Sequence, residues 1–348
     1  MKTSIGPYRF GLTVGEGSFS TVRLCFLDNP NPPEANPPSA NPFSLRFVTS
    51  SRPQIYACKI VSKLILKNKN VTEEMFREEV KIQRLLKHPG IVQVIDDYED
   101  DDNFYLILEY CSGGDLLRRI IKNGKFAEKE ARIIFKQILE VIKFMHQNGV
   151  CHRDIKPDNI LFDENGKVKV CDFGLSTRFG HKNLRANNKH ISEISKDNSK
   201  VNDNKNNWKT DSILNGQLTE NLKNLQINTY SDDSVQGFKD DDLNDYITTG
   251  AGSLCYASPE CIEGGSYSGR AADMWSCGVV LYAMLNGFLP WTSEDDSRLC
   301  TQISCGDYPL PPSLSDDSRR LIQSFLTVDV KRRITAAKAL EHSFFIQQ

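Results

Sequence analysis

Apolar and polar residues alternate with a period of two along the early part of the chain. Residues 8 to 27 and 54 to 62 do so with β-branched enrichment, which predicts strands. Residues 91 to 97 and 104 to 110 predict further strands. Between 73 and 87 the period becomes helical: Met75, Val80, Ile82, Leu85 and Leu86 share one expected apolar side, and His88-Pro89-Gly90 ends the run. From about residue 115 helices dominate. Glu128 to Gln147 reads as a long amphipathic helix stopped by Asn148-Gly149. The pattern predicts an α+β chain, with a small β-rich lobe over 8–110 and a larger helical lobe over 115–345, joined near Glu109 to Gly114.

Two stretches interrupt the pattern. Residues 29–53 are rich in Pro and Asn, cannot pack a core, and read as an exposed, disordered insert. Residues 181–246 are rich in Asn, Lys, Asp and Ser, with too little apolar surface to offset the entropy of ordering. They read as a second disordered insert. Inside it Leu214, Leu218, Leu222 and Leu225 recur at helical spacing. A transient helix is the simpler reading and a docking or autoinhibitory helix the sharper one, weakened by Gly216 within it.

Composition narrows the classes. The 348 residues are 39% hydrophobic and 25% charged, ordinary for a globular chain. A net charge of −2 gives no global field toward nucleic acid or an anionic membrane, so neither is expected as a partner. The ten cysteines form no CxxC pair, which argues against zinc and for small buried thiols in a reducing compartment. The start of the chain has no apolar signal core, no apolar run approaches ~18 residues, and the end has no prenylation box. A cytoplasmic monomer is expected, with the nucleus open as a location.

The chemistry concentrates in Cys151-His152-Arg153-Asp154-Ile155-Lys156-Pro157-Asp158-Asn159, followed by Asp172-Phe173-Gly174. These residues hold the parts needed to move a phosphoryl group onto a hydroxyl. Asp154 can accept the hydroxyl proton, Asn159 and Asp172 can hold magnesium, and Lys156 can neutralise charge on the moving group. The two motifs, in this order, resemble the protein-kinase catalytic loop and the start of its activation segment.

Further motifs extend the resemblance from about Tyr8 to Phe345. Gly15-Glu16-Gly17-Ser18 through Val22 lies between two predicted strands, which suits a phosphate-covering Gly loop and not a dinucleotide site, where a helix would follow. Ser20 stands where the third glycine usually falls. Ala57-Cys58-Lys59 resembles the strand whose lysine binds the α- and β-phosphates, with Ala57, Cys58, Ile60 and Val61 expected to be buried. The resemblance implies a carboxylate partner for Lys59, and counting back from His88-Pro89 gives Glu79, with Glu78 the neighbour that could be confused with it. That register puts polar Gln83 in a usually apolar column, implying a looser or differently satisfied one. Leu108-Glu109-Tyr110-Cys111 resembles the hinge that binds adenine, and Asp115 would face the ribose or a basic substrate residue while also capping a helix.

By the same resemblance, Arg153 would pair with a phosphate at Thr249, with Thr248 the weaker alternative. Ser253 and Lys156 match serine/threonine kinases. Glu260 of Ser258-Pro259-Glu260 would pair with Arg333, and Asp273 would hold the catalytic-loop backbone.

The chain is similar to kinases of the calcium/calmodulin-dependent group, including AMP-activated kinase-like and checkpoint kinase-like members. The implied fold is bilobal, and the implied activity is transfer of the γ-phosphate of ATP, with Mg2+, to Ser or Thr of protein substrates. Asp115 and Asp158 imply a basic residue upstream of the acceptor, and an upstream kinase is the implied activator. No regulatory tail is expected after Phe345. Cys171, just before Asp172, is either a thiol that a covalent ligand could reach or, more simply, an inert one. The alternative class, a pseudokinase or scaffold acting through its inserts, ordinarily lacks one of the residues at Lys59, Asp154, Asn159 and Asp172, all of which are present.

Overall fold

The computed structural model describes residues 2–17, 20–27, 53–68, 72–179, 245–247, 252–291, 293 and 295–346. Nearly all of the two expected inserts, the leucine-bearing stretch, Ser18, Thr248 and Thr249 lie outside the described residues. The chain divides into two compact units, residues 1–73 with 93–110 and residues 74–92 with 111–348.

In the first unit, β1 (Ser4–Ile5), β2 (Tyr8–Glu16), β3 (Ser20–Leu27), β4 (Gln54–Ser62), β5 (Val94–Glu99) and β6 (Asn103–Glu109) form one antiparallel sheet in the order β1-β2-β3-β4-β6-β5. A short helix α1 (Lys63–Asn68) follows β4. The period-two pattern puts Tyr8, Phe10, Cys25, Cys58, Tyr105 and Ile107 together in the core. Burial pushes the Cys25 and Cys58 thiols up to about 11 and about 12, so both act as small protonated packing groups. The flanks of Lys59 are less covered than expected: Cys58 and Val61 are buried, but Ala57 and Ile60 only partly so.

The second unit takes in nearly all of α2 (Glu73–Leu85), a span the sequence pattern groups with the β-rich lobe. The reason is packing: Ile82, Leu86 and Ile91 join the large helical core, and Val92 N–H donates to the Val170 carbonyl. The buried face of α2 also differs from the expected one. Met75 and Leu85 are 49% and 63% exposed, while Phe76, Glu79, Val80 and Gln83 are buried at i, i+3, i+4 and i+7. Two polar residues occupy this stripe, so counting apolar residues rotates the predicted face. Likewise the strand expected at 91–97 is shared: Ile91 bridges to Val170, and β5 begins only at Val94.

The remaining elements are α3 (Leu116–Asn123), α4 (Glu128–Gln147), β7 (Val150–Cys151), β8 (Ile160–Phe162), β9 (Val168–Val170), β10 (Thr177–Arg178), β11 (Tyr246–Ile247), α5 (Pro259–Glu263), β12 (Tyr267–Ser268), α6 (Gly269–Asn286), α7 (Asp296–Cys305), α8 (Asp316–Phe325) and α9 (Ala336–Leu340). Helix α6 is apolar nearly all round and is accordingly buried along almost its whole length. Gly278 lets α8 approach it, because a Cβ there would lie 2.5 Å from the Cβ of Phe325. Strands β8 and β9 form a hairpin, β7 pairs with β10, and β11 pairs with β12. The low-apolar segment expected through 246 ends earlier than its composition implies. Asp245 is 2% exposed because its carboxylate accepts from Ser268 Oγ and Arg270 Nε.

Candidate active site

Residues 152–159 run between β7 and β8, and their backbone is held from outside. Asp273, one turn into α6, accepts from the N–H groups of His152 (2.9 Å) and Arg153 (2.7 Å) and from His146 Nε2 (2.9 Å). Arg153 has φ 70°, a left-handed conformation that an L side chain adopts only under compensation. The Asp273 carboxylate supplies that compensation with charge-assisted bonds. Sequence patterns do not single out His146, although it sits in the last turn of α4, just ahead of the loop.

The Asp154 carboxylate is fixed on the same oxygen by Asn159 Nδ2 (2.9 Å) and Lys156 Nζ (2.9 Å). Asn159 Nδ2 also reaches the Asp154 carbonyl at 2.8 Å. The Lys156 ammonium donates in addition to Ser253 Oγ at 3.0 Å. Desolvation opposes the Lys156 charge, but the Asp154 charge and hydrogen bond outweigh it and raise its pKa. Next to Ser253, Gly252 has φ 102°, and a Cβ there would stand 2.8 Å from the Arg153 carbonyl. Only glycine fits this approach of the Ser253 segment to the catalytic loop.

The two motifs are joined through His152. Its Nε2 donates to the Cys171 carbonyl (3.0 Å) and its Nδ1 accepts from Asp154 N–H (3.3 Å), which together define a single neutral tautomer. Its ring lies 5.1 Å from that of Phe173, which is fully buried. Asp172 has φ 62°, the second left-handed side chain among the described residues. Beside it, Glu79 Oε2 lies 3.5 Å from where a Cβ on Gly174 would be, so the buried Glu79 carboxylate sits close to the Asp172 motif.

The other expected residues fall as follows. In the first unit Gly15 pairs with Val22 and Glu16 with Thr21, and Gly17 N–H closes the turn on the Ser20 carbonyl at 2.7 Å. Lys59 lies in β4 between Val22 of β3 and Leu106 of β6, and Ala57 between Leu24 and Leu108. Glu109 ends β6, its carboxylate accepting from Gln93 N–H at 3.3 Å. In the second unit Cys111 is partly buried, and Asp115 caps α3 by accepting from Arg118 N–H at 2.7 Å. Gln83 satisfies its buried amide by donating to the Val92 carbonyl at 2.9 Å. Glu260 and Arg333 form a two-pronged pair, at 2.6 and 2.9 Å.

The protein kinase domain family matches residues 45–193 and 235–345. This chain belongs to that family. It is 29% identical over 346 residues to CBL-interacting serine/threonine-protein kinase 3 of Arabidopsis thaliana, covering 99% of this chain and 60% of the relative. It is also 29% identical to CBL-interacting protein kinase 33 of Oryza sativa subsp. japonica, covering 99% and 58%. A third relative, the probable serine/threonine-protein kinase HSL1 of Saccharomyces cerevisiae, is 28% identical over 356 residues, covering 98% of this chain and 19% of the relative. The chain thus spans less than two thirds of the length of the curated relatives it matches. Their names agree with the serine/threonine-kinase resemblance carried by the motifs.

Oxygen donors at Asn159 and Asp172 suit a hard cation. Because Asn159 Nδ2 is committed to Asp154, its amide oxygen is the atom left to accept such an ion, with the Asp172 carboxylate as the other donor. The donor set therefore fits magnesium.

Proposed function

We propose that this chain transfers the γ-phosphate of ATP to Ser or Thr hydroxyls of proteins. The observation that carries the reading is the triad of Asp154, Lys156 and Ser253. One ammonium bridges a carboxylate and a hydroxyl from the segment that follows the Asp172 motif, while Asn159 donates to the same carboxylate oxygen. In this arrangement Asp154 orients the acceptor hydroxyl and takes its proton, and Lys156 steadies the charge on the transferred group. Magnesium held by Asn159 and Asp172 would supply neutralisation of the phosphate oxygens. Lys59 would bind phosphates beneath Gly15 to Ser18, with Glu79 as its carboxylate. The backbone of Glu109 and Cys111 would take adenine, and Asp115 the ribose or a basic peptide residue. Catalysis of this kind rests on positioning and electrostatics.

The resemblance supports three finer readings. Thr249 carries a regulatory phosphate read by Arg153, Asp115 and Asp158 favour Arg or Lys about three residues upstream of the acceptor, and the chain acts as a monomer.

The central test is γ-phosphate transfer to a generic Ser/Thr peptide, with Asp154→Asn as control. Wild type is expected to exceed the variant by at least about a hundredfold, and equal rates would refute the reading. A peptide-library screen without a basic preference would remove the upstream-residue proposal.

A further inference from the structure

The activation segment enters on β10 and returns on β11, with residues 180–244 between. Both flanks meet one side chain at the start of α6. On the entry side, the Arg270 guanidinium carbon lies 5.0 Å over the Phe179 ring, and Phe179 is anchored by its N–H to the Gly149 carbonyl at 2.8 Å. On the return side, Arg270 Nε donates to Asp245 Oδ2 at 2.9 Å. The Asp245 carboxylate also accepts from Ser268 Oγ, the same hydroxyl that caps α6 through Ala271 N–H at 3.2 Å. Burial disfavours the Asp245 charge, but the bonds from Arg270 and Ser268 outweigh it, and the carboxyl titrates below its ordinary range.

The neighbouring residue supports the same convergence independently. A Cβ on Gly269 would lie 2.5 Å from Ile247 Cδ1 and 2.8 Å from Cys151 Sγ. Strand β11 on one flank and β7, the partner of β10, on the other therefore both close onto the first turn of α6. Three residues after Arg270 on the same helix is Asp273, which holds the catalytic loop. One helical turn thus carries the anchor of the catalytic loop and a contact to each flank of the segment that delivers Ser253 to Lys156.

We propose that Arg270 is a positioning residue that clasps Phe179 and Asp245, fixing both flanks of residues 180–244 so that Ser253 keeps its place on Lys156 independently of the chain between them. The Arg270 side chain is 45% exposed, so its ion pair alone contributes modestly. The effect comes from joining two flanks through one rigid guanidinium. Its consequence for activity rests on the kinase reading, whereas its consequence for backbone protection does not.

The test uses the full chain and Arg270→Gln, with amide hydrogen exchange and peptide phosphorylation as separate readouts. Exchange at 177–179 and at 246–247 is expected to rise together by roughly tenfold, with α8 amides unchanged. Peptide kcat is expected to fall, with little change in the KM for ATP. No rise, or a rise on one flank only, would overturn the clasp. If α8 amides also rise, the variant has lost the fold, and Phe179→Leu and Asp245→Asn decide instead. Each should loosen the opposite flank as well as its own, and loosening confined to its own flank overturns the proposal. Absence of phosphoryl transfer by wild type would sink the kinase reading while leaving the exchange result to judge the clasp.

Discussion

Arg333 grips Glu260 with both terminal nitrogens, Nη1 to Oε1 at 2.6 Å and Nη2 to Oε2 at 2.9 Å, while its Nε donates to the Thr327 carbonyl. Nη1 also reaches the Ala271 carbonyl, and the guanidinium carbon lies 5.0 Å over the Trp275 ring. A planar fork fits this site and a single ammonium does not. Arg333→Lys is therefore expected to destabilise nearly as much as Arg333→Met, by about 3–5 kcal/mol, because either leaves Glu260 without its two-pronged partner. Urea unfolding measures this, and a lysine variant within about 0.5 kcal/mol of wild type would contradict it.

Gly252 offers a sharper separation of stability from function. Alanine there combines a φ of 102° with a Cβ 2.8 Å from the Arg153 carbonyl. The strain is about 1–3 kcal/mol, and it falls where the Ser253 segment meets the catalytic loop. Gly252→Ala should lower peptide kcat by more than tenfold while shifting the unfolding midpoint only slightly, since the segment can move away and relieve the clash. A variant with wild-type turnover would show that this close approach is dispensable.

How much of this was legible in the sequence depends on how local each determinant is. Helix α4 matches its pattern from Glu128 to Gln147 because its apolar stripe and the Asn148-Gly149 stop are both local signals. The catalytic-loop residues are likewise named by a short contiguous motif. The buried face of α2 was misjudged because Glu79 and Gln83 hold core-facing positions that only tertiary partners make tolerable. Asp245, Arg270 and His146 carry no local signature at all. Their roles come from partners 25, 25 and 127 residues away in sequence.

Gln83 tests whether that polar core position is a defect or a satisfied site. Its Nε2 donates to the Val92 carbonyl at 2.9 Å and the residue is 3% exposed. Gln83→Leu adds apolar surface yet removes the donor, and a buried acceptor deprived of its partner costs about 1–3 kcal/mol. The variant is expected to be less stable than wild type by thermal unfolding. A more stable leucine variant would mean that Val92 finds another donor at no cost.

Lys156 makes the last prediction, on pH. Desolvation would lower its pKa, but the charge and hydrogen bond of Asp154 prevail, so the folded value lies above the ordinary 10.5. A raised folded pKa gives stability that is fully present below the unfolded value and is lost only as pH rises through the folded one. The stability difference between wild type and Lys156→Met should therefore be flat from about pH 6 to about pH 9. It should decline only in stronger alkali. Asp154→Asn removes both leading causes of the upward shift, so in that background the alkaline decline should be smaller or absent. A difference that already slopes between pH 6 and 9 in the wild-type background would mean that Asp154 does not hold the Lys156 ammonium in solution.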